Sequence, residues 1–281
     1  MRKSIIAAGM ALLTAHLCYA DSYQTELRLG YTDAEGEASN VDTNTTLWLY
    51  GSTFYLNKVE STDGPLYEAA FMQRSSNVGA YYLSSEIDVD YVGSDRDLGG
   101  YGFSGRWVER QNGWILSFGY DHTDWEFLHT ESDIWTLGLG KYIAKNTEIF
   151  FVYNANESDF DGAPRKQERK TSSLFLKHVA PLSGEIYHRI EAGYSYVDED
   201  SADAKNIWKT AYVLYPRKYF GVGIEVQAVT NSDRSDEQAA VLFGRWFVTN
   251  QVAVSVGFMK REDDKANHEE ETFLINTDIR F

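Results

Sequence analysis

The sequence predicts an all-β protein, an antiparallel transmembrane β-barrel of about fourteen strands. Three observations predict it. Segments of bilayer-crossing length alternate apolar and polar side chains along the whole chain. The connections between them alternate in character, tight turns on one side and longer acidic stretches on the other. The chain then stops on F-L-I-N-T-D-I-R-F, an amphipathic strand ending at Phe281. A period of two puts successive side chains on opposite faces of a strand. Crossing a bilayer takes a strand of ~9–11 residues, whereas strands of soluble proteins run mostly ~5–6. No stretch after residue 20 has the run of apolar residues that a membrane helix needs.

The N-terminus has the layout of a secretory leader: Arg2 and Lys3, an apolar run from Ile5 to Leu17, then Cys18-Tyr19-Ala20 before Asp21. Cleavage is expected after Ala20, with residues 21–281 forming a single barrel domain. Leu17 is bulky where a lipoprotein signal has a small residue, so a lipid anchor on Cys18 is not expected. Losing the leader removes the only cysteine and makes a chain of formal charge −16 two units more negative. An exported chain without cysteine has no disulfide framework. Its acidity excludes nucleic acid as a partner, since that would require a basic face.

Strands are expected to start near residues 22, 44, 76, 100, 113, 132, 147, 169, 184, 205, 219, 237, 251 and 271. In the first, Tyr23, Thr25, Leu27, Leu29 and Tyr31 face out and Gln24, Glu26, Arg28 and Gly30 face in. In the third, Tyr81, Leu83, Ile87, Val89 and Tyr91 oppose Ser84, Glu86, Asp88 and Asp90. Trp114, Leu116, Phe118 and Tyr120 oppose Ser117, Gly119 and Asp121 in the fifth. Later come Ile186 to Tyr196 against Glu185, Arg189 and Glu191, and Phe220 to Ala228 against Gly221, Gly223 and Glu225. Merging or splitting the second and third segments would give twelve or sixteen strands.

The short connections hold tight-turn residues, such as Gln111-Asn112-Gly113, Lys145-Asn146 and Thr249-Asn250. The longer ones are acidic: residues 33–42, 93–99, 126–133, 157–170, 198–204, 231–237 and 261–271. Outer-membrane barrels have short periplasmic turns, longer extracellular loops and an even strand number. Fourteen strands place every acidic stretch outside and both termini in the periplasm. One connection breaks the rule. Residues 58–75 are long where a short turn is due, and Pro65 ahead of L-Y-E-A-A-F-M suggests a short helix with proline in its first turn. That segment is either a helical periplasmic turn or a partial plug folded into the lumen.

Aromatics are abundant, with 7 Trp, 19 Tyr and 15 Phe, and they concentrate at segment ends. Tyr23, Trp107, Trp114, Tyr142, Tyr215, Tyr219, Trp246 and Phe281 fall at expected periplasmic ends. Tyr31, Tyr101, Tyr120, Trp135, Tyr194 and Phe273 fall among those toward the outer ends. Rings at both levels read as the girdles that sit at membrane interfaces.

The N-terminal third, with T-T-L-W-L-Y-G-S-T-F-Y-L and then G-P-L-Y-E-A-A-F-M-Q-R-S-S-N-V, resembles the general porins of γ-proteobacterial outer membranes. The second stretch carries most of the likeness. Tyr67 and Met72 stand where smaller or other apolar residues are expected, and beyond this third the likeness is one of architecture. The resemblance implies residence in the Gram-negative outer membrane and passive, cofactor-free uptake of small hydrophilic solutes or ions. It transfers no catalytic or substrate-binding residue.

For such a barrel the functional surface is the inward face. The alternation places Glu26, Glu86, Asp88, Asp90, Asp121, Glu148, Glu185, Glu191, Glu225 and Asp278 inside, opposed by Arg28, Arg106, Lys177, Arg189, Lys209, Arg245 and Arg280. Ten acids against seven bases, below acidic loops, imply a cation preference. Arg165, Lys166, Arg169 and Lys170 are expected either to form a constriction or to meet lipopolysaccharide phosphates. Phe281 is the expected assembly signal, so the partners are outer-membrane lipid, lipopolysaccharide, periplasmic chaperones and the barrel-assembly machinery. Other readings are a non-conducting plugged or scaffolding barrel, and a barrel hydrolase using Asp121-His122 with Asp263-Asp264. Strand neighbours point to opposite faces, no Ser–His arrangement is legible, and no acidic run has calcium-loop spacing. No catalytic residue, metal ligand or cofactor is therefore expected.

Overall fold

The computed structural model describes residues 22–38, 41–61, 64–89, 96–125, 130–160, 166–200, 202–231, 236–263 and 268–281. The leader, Asp90, Tyr91 and Arg165 lie outside the described residues. Fourteen strands follow in order: β1 (Ser22–Ala38), β2 (Val41–Glu60), β3 (Asn77–Val89), β4 (Arg96–Val108), β5 (Trp114–Trp125), β6 (Thr130–Ala144) and β7 (Thr147–Phe160). Then come β8 (Gln167–Ser183), β9 (Ile186–Glu199), β10 (Ala202–Arg217), β11 (Phe220–Asn231), β12 (Glu237–Phe247), β13 (Val252–Asp263) and β14 (His268–Arg280). Each pairs antiparallel with its sequence neighbours, and β14 returns to β1, closing the barrel. Closure leaves no unpaired edge, a requirement in lipid, where no water satisfies a free backbone group.

The seam between β1 and β14 bears out the reading of the last strand. Leu27 pairs with Ile279 and Leu29 with Thr277 on the outward face, while Arg28 pairs with Asp278 and Glu26 with Arg280 inside. The Phe281 backbone accepts from Gln24 and Thr25 at 2.6 and 3.1 Å and donates to the Thr25 oxygen. That local doubling shifts the register between Tyr23 and Thr25. The resulting bulge turns Tyr23 inward, against the expected alternation.

The two faces can be told apart without reference to polarity. Arg106 on β4 meets Glu148 on β7 at 2.5 Å, and side chains three strands apart meet only across the lumen. Passed along the register, this places Gly102 and Tyr81 on the lumen side, so Tyr81, Leu83 and Ile87 point in. Glu86 and Asp88 consequently face outward, contrary to the sequence reading. Both Tyr81 and Tyr82 are aromatic, so polarity does not fix the parity of β3. Its partners do: Tyr82 lies between outward-facing Tyr50 and Tyr101.

The acidic connections are also shorter than expected. β7 and β8 stay paired from Ser158–Gln167 downward, so most of residues 157–170 is strand, with only 161–166 between the two strands. Likewise β1 and β2 stay paired up to Ala38 and Val41. Alternating charged and small residues keep the ladder going past the apolar belt, because nothing in these stretches interrupts backbone pairing.

Candidate functional site

The long connection between β2 and β3 folds into the barrel and crosses its periplasmic mouth. Gly64 begins the crossing with φ of +79°. A Cβ there would lie 2.8 Å from the flexible Met72 sulfur, and it is the left-handed backbone that favours glycine. Pro65 then sets an extended start to a 3-10 turn, Leu66–Glu68, followed by one helical turn, Ala69–Met72. Gln73, Arg74 and Ser75 donate back to the oxygens of Ala69, Phe71 and Ala70 and close the segment.

This plug docks by a separate contact on each side. Leu66 packs on Phe247 and Ala253. Its nitrogen donates to the Lys218 oxygen at 2.8 Å, and its oxygen accepts from Arg280 Nη1 at 2.9 Å. Tyr67 lies edge-on to Phe247 at 4.6 Å and bonds Ser255 Oγ at 3.0 Å. Ala69 sits among Tyr23, Tyr55 and Val59. Phe71 meets the Tyr142 ring at 5.3 Å, while the Tyr142 hydroxyl donates to the Phe71 oxygen at 2.9 Å. Arg74 donates to the oxygens of Arg110 and Ala144, each at 3.2 Å, tying the end of the plug to two periplasmic turns.

Glu68 is the centre of the docking. It is 1% exposed and reaches the far wall. Lys177 on β8 meets its Oε2 at 2.9 Å, Arg189 on β9 donates to its Oε1 at 3.1 Å, and Tyr215 on β10 donates to Oε1 at 2.7 Å. Burial alone would raise the Glu68 pKa; the two cations and the Tyr215 hydroxyl outweigh it and hold the carboxyl at about 2. Glu191 joins the cluster at 3.4 Å from Lys177 Nζ and 3.5 Å from Arg189 Nε.

The remaining inward charges are largely paired along the wall. Arg28 bonds Asp278 at 2.7 Å and approaches Glu26 at 3.6 Å, while Arg280 bonds Glu26 at 2.7 Å. Lys209 meets Glu225 at 2.6 Å, and Tyr81 donates to Asp121 at 2.5 Å. Arg245 lies over the rings of Tyr67 and Phe243 at 5.2 and 4.8 Å. The structure thus brings Glu26, Arg28, Arg106, Asp121, Glu148, Arg189, Glu191, Glu225, Arg245, Asp278 and Arg280 to the lumen, as the alternation predicted, and leaves Glu86 and Asp88 outside it. At the extracellular rim Lys170 bonds Glu168 at 2.9 Å, and Lys166 stands 3.9 Å from Glu157 and 4.0 Å from Asp159. Arg169 is in register with Glu199. Arg169 and Lys170 lie on β8, and Lys166 immediately precedes it.

Three tyrosines read as interfacial girdle are plug contacts instead. Tyr23, Tyr142 and Tyr215 are at most 5% exposed and face inward. The missed signal is glycine beside the ring. A Cβ on Gly221 would lie 2.6 Å from the Tyr215 ring, and one on Gly113 would meet Tyr142 at 3.0 Å. Trp107, Trp114 and Trp246 do face outward and are exposed. Asp121 and His122 take opposite faces: Asp121 accepts from Tyr81 inside, and His122 Nδ1 meets Asp133 at 3.0 Å outside. They form no common site. Among the described residues no cluster could hold a metal ion.

A family model described as "Putative general bacterial porin" matches residues 1–165. The outer membrane protein Omp33 of Acinetobacter baumannii is similar over 93% of this chain and 99% of its own, at 21% identity and a TM-score of 0.62. The anion-selective porin from Comamonas acidovorans is similar over 92% and 100%, at 8% identity and a TM-score of 0.50. At these identities the likeness establishes the fold alone. No curated protein sequence matches the chain.

Proposed function

Because the chain belongs to the general bacterial porin family, we propose that it is an outer-membrane channel through which small hydrophilic solutes and ions diffuse, and not an enzyme. The observation that carries this reading is the division between the faces. Leu137, Leu139, Leu242 and Val256 on the outward face are exposed, while ion pairs line the inner wall from Glu26–Arg280 to Lys209–Glu225. A charged wall keeps a lumen wet, whereas an Arg or Lys on the lipid face costs about 2–4 kcal/mol at mid-depth. The plug crosses the periplasmic mouth and narrows the path there.

The cation preference belongs to the extracellular entrance more than to the wall. With Glu86 and Asp88 outside the lumen, the inward acids and bases come close to balance. On the lumen-facing parity of Arg245 and Ser255, the rim pair Glu237–Asp263 remains at the entrance and concentrates cations there. Export begins with removal of residues 1–20 after Ala20. Assembly uses periplasmic chaperones and the barrel machinery, which reads the strand ending at Phe281. Lys166, Arg169 and Lys170 lie at the level of lipopolysaccharide phosphates.

The test is single-channel recording of the refolded protein in a planar bilayer under a potassium chloride gradient. Open steps with a reversal potential on the cation side support both parts of the reading. Steps with an anion-side potential overturn the preference and keep the channel. The docked plug favours one alternative, a closed scaffolding barrel. Silence both in the wild-type protein and after residues 64–75 are replaced by a short turn would establish that alternative.

A further inference from the structure

The cluster that holds Glu68 belongs to the wall, not to the plug, and this separates the ligand from its site. Lys177, Arg189 and Tyr215 come from β8, β9 and β10, three adjacent strands of a continuous ladder. Their backbone positions therefore do not depend on where residues 64–75 lie, although the Lys177 ammonium also rests over the Phe71 ring at 4.5 Å when the plug is docked. We propose that these three side chains form a carboxylate-binding site on the pore wall, filled in the docked state by Glu68 as a tethered ligand and otherwise by a small carboxylate solute. The inference rests on the channel reading and names the chemical class that its lumen recognises.

Charge supports it first. With Glu68 in place, two cations, Lys177 and Arg189, face two carboxylates, Glu68 and Glu191. Withdrawing Glu68 leaves one positive charge unmatched. Arg189 is 7% exposed with the plug docked, so undocking opens this charge to the lumen and leaves the wall favouring an anion that fits against it.

Geometry supports it second. The donors divide between the two oxygens, Lys177 on Oε2 and Arg189 with Tyr215 on Oε1, an arrangement fitted to a carboxylate and not to a spherical ion. Tyr215 is fully buried, and its ring lies where a side chain on Gly221 would collide with it. The hydroxyl is therefore aimed by the wall itself, before any ligand arrives. Arg189 Nε makes no hydrogen bond and faces Glu191 Oε1 at 3.5 Å, so Glu68 uses only the Nη1 side of the guanidinium. These groups act by binding and orienting; no bond is made or broken.

The experiment uses propionate, which carries the carboxylate and methylenes of a glutamate side chain, against Glu68→Ala refolded in detergent. Propionate at fixed ionic strength is expected to raise the unfolding midpoint of Glu68→Ala by several degrees and to leave the wild-type midpoint in place. Neutral propionamide should do neither, and adding Lys177→Met should abolish the rise. An equal shift with and without Lys177→Met, or no shift at all, overturns the site. If Glu68→Ala does not refold, hydrogen exchange of residues 64–75 in the wild-type protein gives the answer. Propionate competing with Glu68 should make exchange several-fold faster than the same concentration of chloride does, and unchanged exchange overturns the proposal. Neither readout needs a current, so loss of the site and loss of the channel reading are separately visible.

Discussion

The two ends of the lumen are built from the same strands and yet by different rules. At the extracellular end, inward side chains among the described residues pair with their neighbours: Ser132 with Asn156, Thr136 with Asn154, and Ser173 with Ser195, all at 2.8 Å. These are local cross-strand pairs that leave the space beyond them to water. At the periplasmic end the inward side chains are tyrosines, valines and paired charges. Tyr23, Val59, Val179, Val213, Tyr215, Phe247 and Ala253 are almost fully buried, because residues 64–75 give them something to pack against. One end of this barrel is a hydrated wall and the other a folded core. The difference teaches that the lining of a barrel is decided by what enters it. A tyrosine fits an interfacial girdle or a plug socket equally well by composition, and only the register separates the two.

Replacing residues 64–75 by a tight turn should break the comparison most completely. The periplasmic end would then become a second hydrated wall, and single-channel conductance should rise several-fold over wild type in planar bilayers. An unchanged conductance would mean that the plug does not limit the path.

A smaller break comes from Glu68→Ala. Removing one partner of a buried ion pair costs about 3–5 kcal/mol, since Lys177 and Arg189 are left facing each other with only Glu191 between them. The cost falls on docking and not on the barrel. Hydrogen exchange should therefore accelerate in residues 64–75, while β3 to β14 keep their protection. Acid should act on the same latch. The Glu68 pKa is about 2, below its ordinary 4.5, so its contribution is complete above the ordinary value and is lost as pH falls through the bound one. Protection of the plug amides relative to their intrinsic exchange rate should fall from pH 5 to pH 2 in the wild-type protein and fall less in Glu68→Ala.

The fold was legible because it is written redundantly. Strand starts, the count of fourteen and the closing seam at Phe273–Phe281 all follow from a period-two pattern enforced by lipid on one side. Most of the inward charges were legible for the same reason, since Arg28, Arg189, Glu191 and Asp278 alternate with apolar neighbours. Legibility failed where two residues of one kind stand together. At Tyr81-Tyr82 and Ser84-Ser85 polarity has no preferred parity, and Glu86 and Asp88 were assigned to the wrong face as a result. The plug was half legible: its length, Pro65 and short helical run could be read, but its destination could not. Glu68 meets Lys177, Arg189 and Tyr215 across more than a hundred residues of chain, and no local pattern encodes such a contact.

The mildest test isolates a single hydroxyl at each end. Tyr142→Phe removes the bond from Tyr142 to the Phe71 oxygen and leaves the ring in its place against Phe71. The Phe71 oxygen already accepts from the Arg74 nitrogen at 3.0 Å, so the loss should stay near that of one ordinary hydrogen bond, about 1 kcal/mol. Tyr120→Phe is the matching change on the outward surface. There Asp133 keeps His122 at 3.0 Å after the Tyr120 hydroxyl is gone, and solvent can take the vacated position. Chemical unfolding in lipid vesicles, together with plug exchange, should show Tyr142→Phe loosening residues 64–75 modestly and Tyr120→Phe leaving them untouched. Equal effects would mean that the periplasmic end is not the separately packed core its burial describes. A tyrosine there would then be worth no more than one anywhere else on the barrel.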